Sequence, residues 1–135
     1  MVQLDAALMT RLAIGKVFAS PDDAGTTPVN SLDISGDGEL VVTAADDESC
    51  HLYAVSQGRR KKTLLAKKNG VEQIKFTHAS HAVICAGNDF YCRYWSLHDN
   101  QYLRYFRGHR DRITSLAMCP KDDSFISASL DRTIR

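Results

Sequence analysis

The chain has 135 residues, 44% hydrophobic and 24% charged, and its 17 basic and 16 acidic side chains leave a formal net charge of +1. That is the size and balance of one modest domain, without the strong overall field that draws basic proteins to nucleic acid or to membranes. Met1 to Ile14 lacks a positive start and is interrupted by Asp5 and Arg11, so neither a secretory signal nor a membrane span is expected, and the reading is of a soluble intracellular protein.

In chain order, an N-terminal segment, residues 1–27, contains one alternating run, Thr10 to Phe18, with the pattern of a strand. Residues 28–69 predict strands at Val29–Ile34, Glu39–Ala44, Ser49–Ala54 and Lys61–Ala66. Residues 70–111 predict Val71–Thr77, His81–Ala86, Phe90–Leu97 and Gln101–Arg107, and residues 112–135 predict Arg112–Met118, Ser124–Ser129 and a stub, Arg132–Arg135. Turn-forming residues separate them, among them Ser35-Gly36-Asp37-Gly38, Asn69-Gly70, Asn88-Asp89 and His98-Asp99-Asn100.

These series repeat at 42 residues. Ala44, Ala86 and Ala128 coincide, as do Asp47, Asp89 and Asp131. A fixed period in this range marks stacked copies of one supersecondary unit, none of which can bury its apolar faces alone. Four short strands per copy match a β-propeller blade; a leucine-rich repeat is shorter, a helical repeat needs a 3.6 period, and a β-sandwich requires no self-similarity. The expected fold is therefore all-β, an incomplete propeller of about two and a half four-stranded blades.

The four cysteines, Cys50, Cys85, Cys92 and Cys119, lack paired CxxC spacing, and Cys50 and Cys92 lie one repeat apart, as buried structural thiols would. His78 and His81 form an HxxH pair in a turn without an acidic or cysteine partner nearby, so no metal site is expected. Two basic clusters stand out: Arg59-Arg60-Lys61-Lys62 with Lys67-Lys68, and Arg104, Arg107, Arg110 and Arg112. Charges on an outer strand discourage edge pairing, and the tetrabasic run also has the form of a nuclear localisation signal. Lys67, Lys68, Arg110 and Arg112 flank the starts of first strands, where propeller loops share one face. They are candidates for binding a phosphorylated peptide, because ammonium and guanidinium groups pair strongly with phosphate.

Gly108-His109 before a first strand, Ser127 or Ser129 in the second and Asp131 in the following turn resemble the pattern of the WD40 family. In the first copy Tyr53 stands where the family has tryptophan, in the second Trp95 is followed by Ser96 rather than Asp, and Ala66-Lys67 occupies the register of Gly108-His109. His109, Ser127 and Asp131 are also the residue types of a hydrolytic triad. A nucleophilic serine needs an exposed position and an oxyanion hole, whereas a serine in a repeat's second strand lies between blades, so a structural hydrogen-bond network is expected rather than catalysis.

A narrower resemblance runs through Lys67-Lys68-Asn69-Gly70-Val71, Thr77-His78-Ala79, Ser96-Leu97-His98-Asp99-Asn100, Tyr102, Arg104-Tyr105-Phe106 and Gly108-His109, and continues from Asp122 to Ser127 and from Ser129 to Arg135. It is to the WD40 subunits of COMPASS-type complexes, which methylate lysine 4 of histone H3. That resemblance implies a nuclear scaffold with no catalytic activity and no cofactor, whose partners are methyltransferase-complex subunits and the phosphorylated tail of RNA polymerase II. The same kind of subunit is found in RNA 3′-end processing and protein phosphatase complexes. A substrate-recruiting WD40 adaptor of a ubiquitin ligase is the alternative. Propellers close with an early strand, a role that Thr10 to Phe18 fits, although the blade it would complete is absent from the sequence. Disorder, loose anchoring or pairing elsewhere is expected for that run, and the open apolar face predicts marginal stability or self-association.

Overall fold

A computed structural model describes residues 5–18, 27–66 and 69–135. It opens with a one-turn helix, α1 (Ala6–Met9), capped by Asp5, whose carboxylate accepts the Leu8 amide at 2.7 Å. The first sheet contains β1 (Val29–Ile34), β2 (Leu40–Ala45), β3 (Ser49–Ala54) and β4 (Arg59–Leu65), paired antiparallel in that order. The second repeats the arrangement with β5 (Gln73–Phe76), β6 (Ala82–Ala86), β7 (Cys92–Ser96) and β8 (Gln101–Phe106). A third pairs β9 (Ile113–Met118) with β10 (Phe125–Ser129), beyond which Ile134 bridges Ala128. This is the incomplete, unclosed propeller that the 42-residue period predicts.

The period extends to the backbone. β3 bulges against β4 between Leu52 and Tyr53, and β7 against β8 between Tyr94 and Trp95, which are the same repeat positions. Glu48, Phe90 and Arg132, again equivalent, take positive φ values of 67°, 64° and 65°. Such a conformation is unusual for a side chain as bulky as Phe90. It also explains why the third strand of the second copy begins at Cys92 rather than at the expected Phe90, since a left-handed residue cannot start a ladder. Likewise β5 stops before Thr77, whose hydroxyl bonds Ala82 O at 3.1 Å and closes the turn.

The sheets stack face to face. Val42, Ala44, Cys50, Leu52 and Leu64 of the first meet Ile74, Phe76, Val83, Cys85 and Trp95 of the second. On its other face the second sheet sets Ile84, Ala86 and Cys92 against Ile113 and Leu116 of the third, with Phe106 and Phe125 edge to face at 5.0 Å. β6 is buried at all five positions because its two faces serve two cores. Each large side chain so buried contributes about 1.5–3 kcal/mol. β1 and β5 lie side by side, and Asp33 fastens them, accepting the Phe76 amide at 2.8 Å and the Lys75 ammonium at 3.0 Å.

The run from Thr10 to Phe18 forms no strand in the structure. Leu12 and Ile14, its alternating apolar residues, are exposed, because no ladder or sheet face receives them. Only towards its end does the segment touch the body, where Phe18 lies 4.6 Å from Tyr53 on the outer face of the first sheet and Lys16 sits over the Phe18 ring.

Candidate functional site

β9 and β10 and the loops at their ends bring His109, Ser127 and Asp131 together. His109 Nε2 lies 2.8 Å from Ser127 Oγ and Nδ1 lies 2.9 Å from Asp131 Oδ2. Asp131 Oδ2 also accepts the Arg110 amide at 2.9 Å, while Oδ1 takes the Thr133 hydroxyl at 2.6 Å and its amide at 2.8 Å. The loop before β9 is thereby tied to the turn after β10. The Thr133 hydroxyl chiefly, then the Arg110 amide and His109, hold the Asp131 carboxyl well below the usual carboxylate range, against the opposing effect of burial.

The distances are those of a Ser-His-Asp relay, but the surroundings withhold its chemistry. Ser127 is buried, and its amide donates to Arg135 O at 2.9 Å, so that amide is not available to an oxyanion. The recess beside it, between Phe106, Phe125 and Gly108, holds about 110 Å³, against roughly 300–1,000 Å³ for ordinary ligand pockets.

The equivalent aspartates are fastened differently. Asp89 accepts from the Asn69 side-chain Nδ2 at 2.8 Å and from the guanidinium of Arg93, which is buried and stacks on the rings of Tyr102 and Tyr105 at 5.4 and 5.7 Å. Asp47 caps its own turn by accepting the Ser49 amide at 2.9 Å. Thr133, Asn69 and Arg93 are the members of this set that sequence reasoning missed. The repeat register places Arg93 four residues after Asp89, but only the fold shows that its guanidinium turns back to that carboxylate.

Of the peptide-binding candidates, Lys67 and Lys68 lie outside the described residues. Arg110 is exposed next to the network. Arg112 donates from Nε to Glu72 at 2.6 Å, an ion pair linking the second and third sheets. The tetrabasic strand is largely exposed, yet Lys62 donates to Leu97 O at 3.0 Å and His98 O at 2.7 Å and so ties β4 to the second sheet. His78 meets Asp123 at 3.1 Å, and among the described residues no group of three or more His, Cys, Asp or Glu could hold a metal ion. Cys50, Cys85 and Cys92 are buried, and burial pushes the Cys50 thiol up to about 12.

Residues 100–135 match the model of the WD domain, G-beta repeat, and residues 3–79 that of the Anaphase-promoting complex subunit 4 WD40 domain. Protein ANTHESIS POMOTING FACTOR 1 of Arabidopsis thaliana is 37% identical over all of this chain and 42% of its own length. The Set1 complex component swd2 of Schizosaccharomyces pombe is 40% identical over 79% of this chain and 30% of its own. The COMPASS component SWD2 of Saccharomyces cerevisiae is 33% identical over 85% and 36%. The chain thus spans well under half the length of these curated relatives. Among solved structures, that of the RRP9 WD40 repeats superposes with a TM-score of 0.71 at 24% identity, over 81% of this chain and 34% of that one, a likeness of fold. With a family model matching residues 3–79, more than half of its length, the chain belongs to the WD40-repeat family.

Proposed function

We propose that this chain acts as a non-catalytic scaffold in a nuclear complex of the COMPASS type, which methylates histone H3 at lysine 4 and is linked to transcribing RNA polymerase II. The observation that carries this reading is its 40% identity to a Set1 complex component over 79% of the chain. The specific stretch from Ser96 to His109 supports it. The buried Ser127 and its committed amide support the absence of catalysis. Affinity purification of the tagged chain from nuclei is the test. Recovery of methyltransferase subunits supports the proposal, and recovery of cullin-type subunits in their place replaces it with a ubiquitin-ligase adaptor.

Within this reading, Lys67, Lys68, Arg110 and Arg112 contact the phosphorylated polymerase tail. Arg112 would exchange Glu72 for a phosphate, since the guanidinium is still more than half exposed in that pair. Reversing all four charges should weaken binding of a doubly phosphorylated tail peptide by roughly tenfold or more, about 1.4 kcal/mol. An unchanged affinity removes these residues from the site.

A further inference from the structure

We infer that a cleft between the first and second sheets binds an acidic peptide segment of a partner protein, anchored by one large apolar side chain. The cleft lies between the facing sides of the two four-stranded sheets, at the end where β4 begins and β7 finishes. It holds about 410 Å³, within the roughly 300–1,000 Å³ of ordinary binding pockets. Leu52 and Leu97, one from each sheet, reach it from the first core, and Leu40 packs against them from the start of β2. Three leucines therefore offer an apolar floor to a side chain entering from solvent.

The rim is basic. Lys61 and Lys62 line the cleft on the side of β4, His81 and His98 on the side of the second sheet, and among the described residues no carboxylate lines it. Asp99, next in the chain to His98, is engaged by His98 Nδ1 at 2.8 Å and by the Ser96 hydroxyl at 3.2 Å. Arg59, Arg60 and Lys61 are exposed and carry the positive charge on along β4. From Lys62 to Arg59 that strand covers about 10 Å, the reach of about three residues of an extended peptide. An apolar residue with Asp or Glu in the adjoining three positions thus matches both the floor and the charged strand. The leucine floor gives a nucleobase no ring to stack on, which favours peptide over nucleic acid as the occupant.

The cleft is also formed in advance. Lys62 donates to Leu97 O and His98 O, which fixes its aliphatic stem as a wall and leaves one of its three N–H donors for an incoming carboxylate. On the opposite wall the turn carrying Ser80 is closed by the Ala82 amide to Ala79 O at 3.0 Å, and the Leu97 amide donates to His81 O at 2.9 Å. Side chains and turns already held in place lose little freedom on binding, so more of the contact energy appears as affinity. Neither Arg110 nor Arg112 lines this cleft, which makes it a surface distinct from the one proposed for the phosphorylated tail.

Fluorescence anisotropy with the full chain is the test, using a labelled peptide in which one leucine is followed by three aspartates in a glycine and serine background. Saturable binding is expected. Changing the leucine of the peptide to alanine should weaken it roughly tenfold, by emptying the apolar floor. Lys61→Glu, at an exposed position, should weaken it by about the same factor, by setting like charges together. Ser80→Phe, which fills the cleft with a ring, should abolish it, with thermal melts checking that the variants are folded. The peptide pair reads the same cleft on the unaltered chain and needs neither variant. The inference is overturned if no saturable binding is found, if the alanine peptide binds as the leucine one does, or if folded Ser80→Phe binds like wild type. A single-stranded RNA of equal charge that displaces the peptide and binds Ser80→Phe undiminished would assign the basic strand to nucleic acid instead.

Discussion

The first and second sheets are built from one repeat, yet among the described residues the second is covered by a sheet on both faces and the first on only one. Val55 is 48% exposed and Leu97, at the same position, 3%. On its outer side Tyr53 meets the passing ring of Phe18 and the edge of His51 at 6.2 Å, whereas Trp95 is enclosed and sits 5.3 Å from Tyr102. The strands are almost equally apolar, so burial here is conferred by the neighbouring sheet rather than by the strand's own pattern. A propeller blade is half of two cores, and its stability is held jointly with the blades beside it.

Removing the ring at the enclosed position should separate the two sheets most sharply. Trp95→Ala should cost about 3–5 kcal/mol, since it empties a volume that the packed sheets cannot refill. Tyr53→Ala should cost about 1 kcal/mol or less when measured on dilute protein, because its site is open on one side. Urea unfolding of the pair decides the matter, and equal losses would mean that the two faces are covered alike. A polar version of the contrast comes next in size. Arg93→Leu should cost about 3 kcal/mol by leaving the Asp89 carboxylate without its buried cation. His51, its equivalent in the first sheet, is half-buried and bonds Ser49 and Thr63 at 3.2 Å, so His51→Leu should cost about 1 kcal/mol.

The third copy extends the contrast to pH. Ser127→Ala leaves His109 without its partner in a buried site and should cost about 1–2 kcal/mol. Asp131 has its folded pKa depressed below the unfolded value, so its carboxylate stabilises the fold above the ordinary carboxylate range, and that contribution is lost as the pH falls through about 4 and below. Asp131→Asn should therefore be destabilised near neutrality and converge on wild type in acid. Asp47, lowered chiefly by the Ser49 hydroxyl, has fewer donors, so Asp47→Asn should show the same convergence with a smaller amplitude. Thermal melts at a series of pH values read both. A difference from wild type that stays constant with pH would show that the charge of Asp131 plays no part.

Much of this was legible in the sequence because the period writes each position three times. Val29–Ile34 and Ser49–Ala54 appear as strands with the expected bounds, and the coincidence of Asp47, Asp89 and Asp131 marks the turns that the carboxylates fasten. What was not legible is what the repeat does not share. The left-handed position carries Glu48, Phe90 and Arg132, three residue types with no common preference for that conformation. Arg93 reads as a charge on a strand, and only the fold shows the Tyr102 and Tyr105 rings that enclose it. The alternation from Thr10 to Phe18 reads as a strand, but alternation specifies two faces and does not supply an edge to pair with. For the candidate site, the loop and turn that join His109 to Asp131 follow from the family pattern, whereas the pairing of Arg112 with Glu72 depends on how two sheets meet.

The cysteines offer the mildest perturbation and the finest comparison, because each reports on a different contact. Cys50 lies in the core between the first and second sheets, and Cys92, one repeat on, lies between the second and third. Burial raises both thiols, so neither should react until its pair of sheets parts. The third sheet has two strands and a single bridge where the others have four strands, and fewer contacts mean a lower free energy of local opening. Alkylation in native buffer, followed peptide by peptide with mass spectrometry, should label the partly exposed Cys119 first, Cys92 next, and Cys50 with Cys85 last. If Cys92 were as slow as Cys50, the third sheet would be as firmly seated as the second. Loss of the delay at Cys92 in Phe125→Ala, with Cys50 unchanged, would show that the two cores open independently, as stacked repeats that contact only their neighbours should.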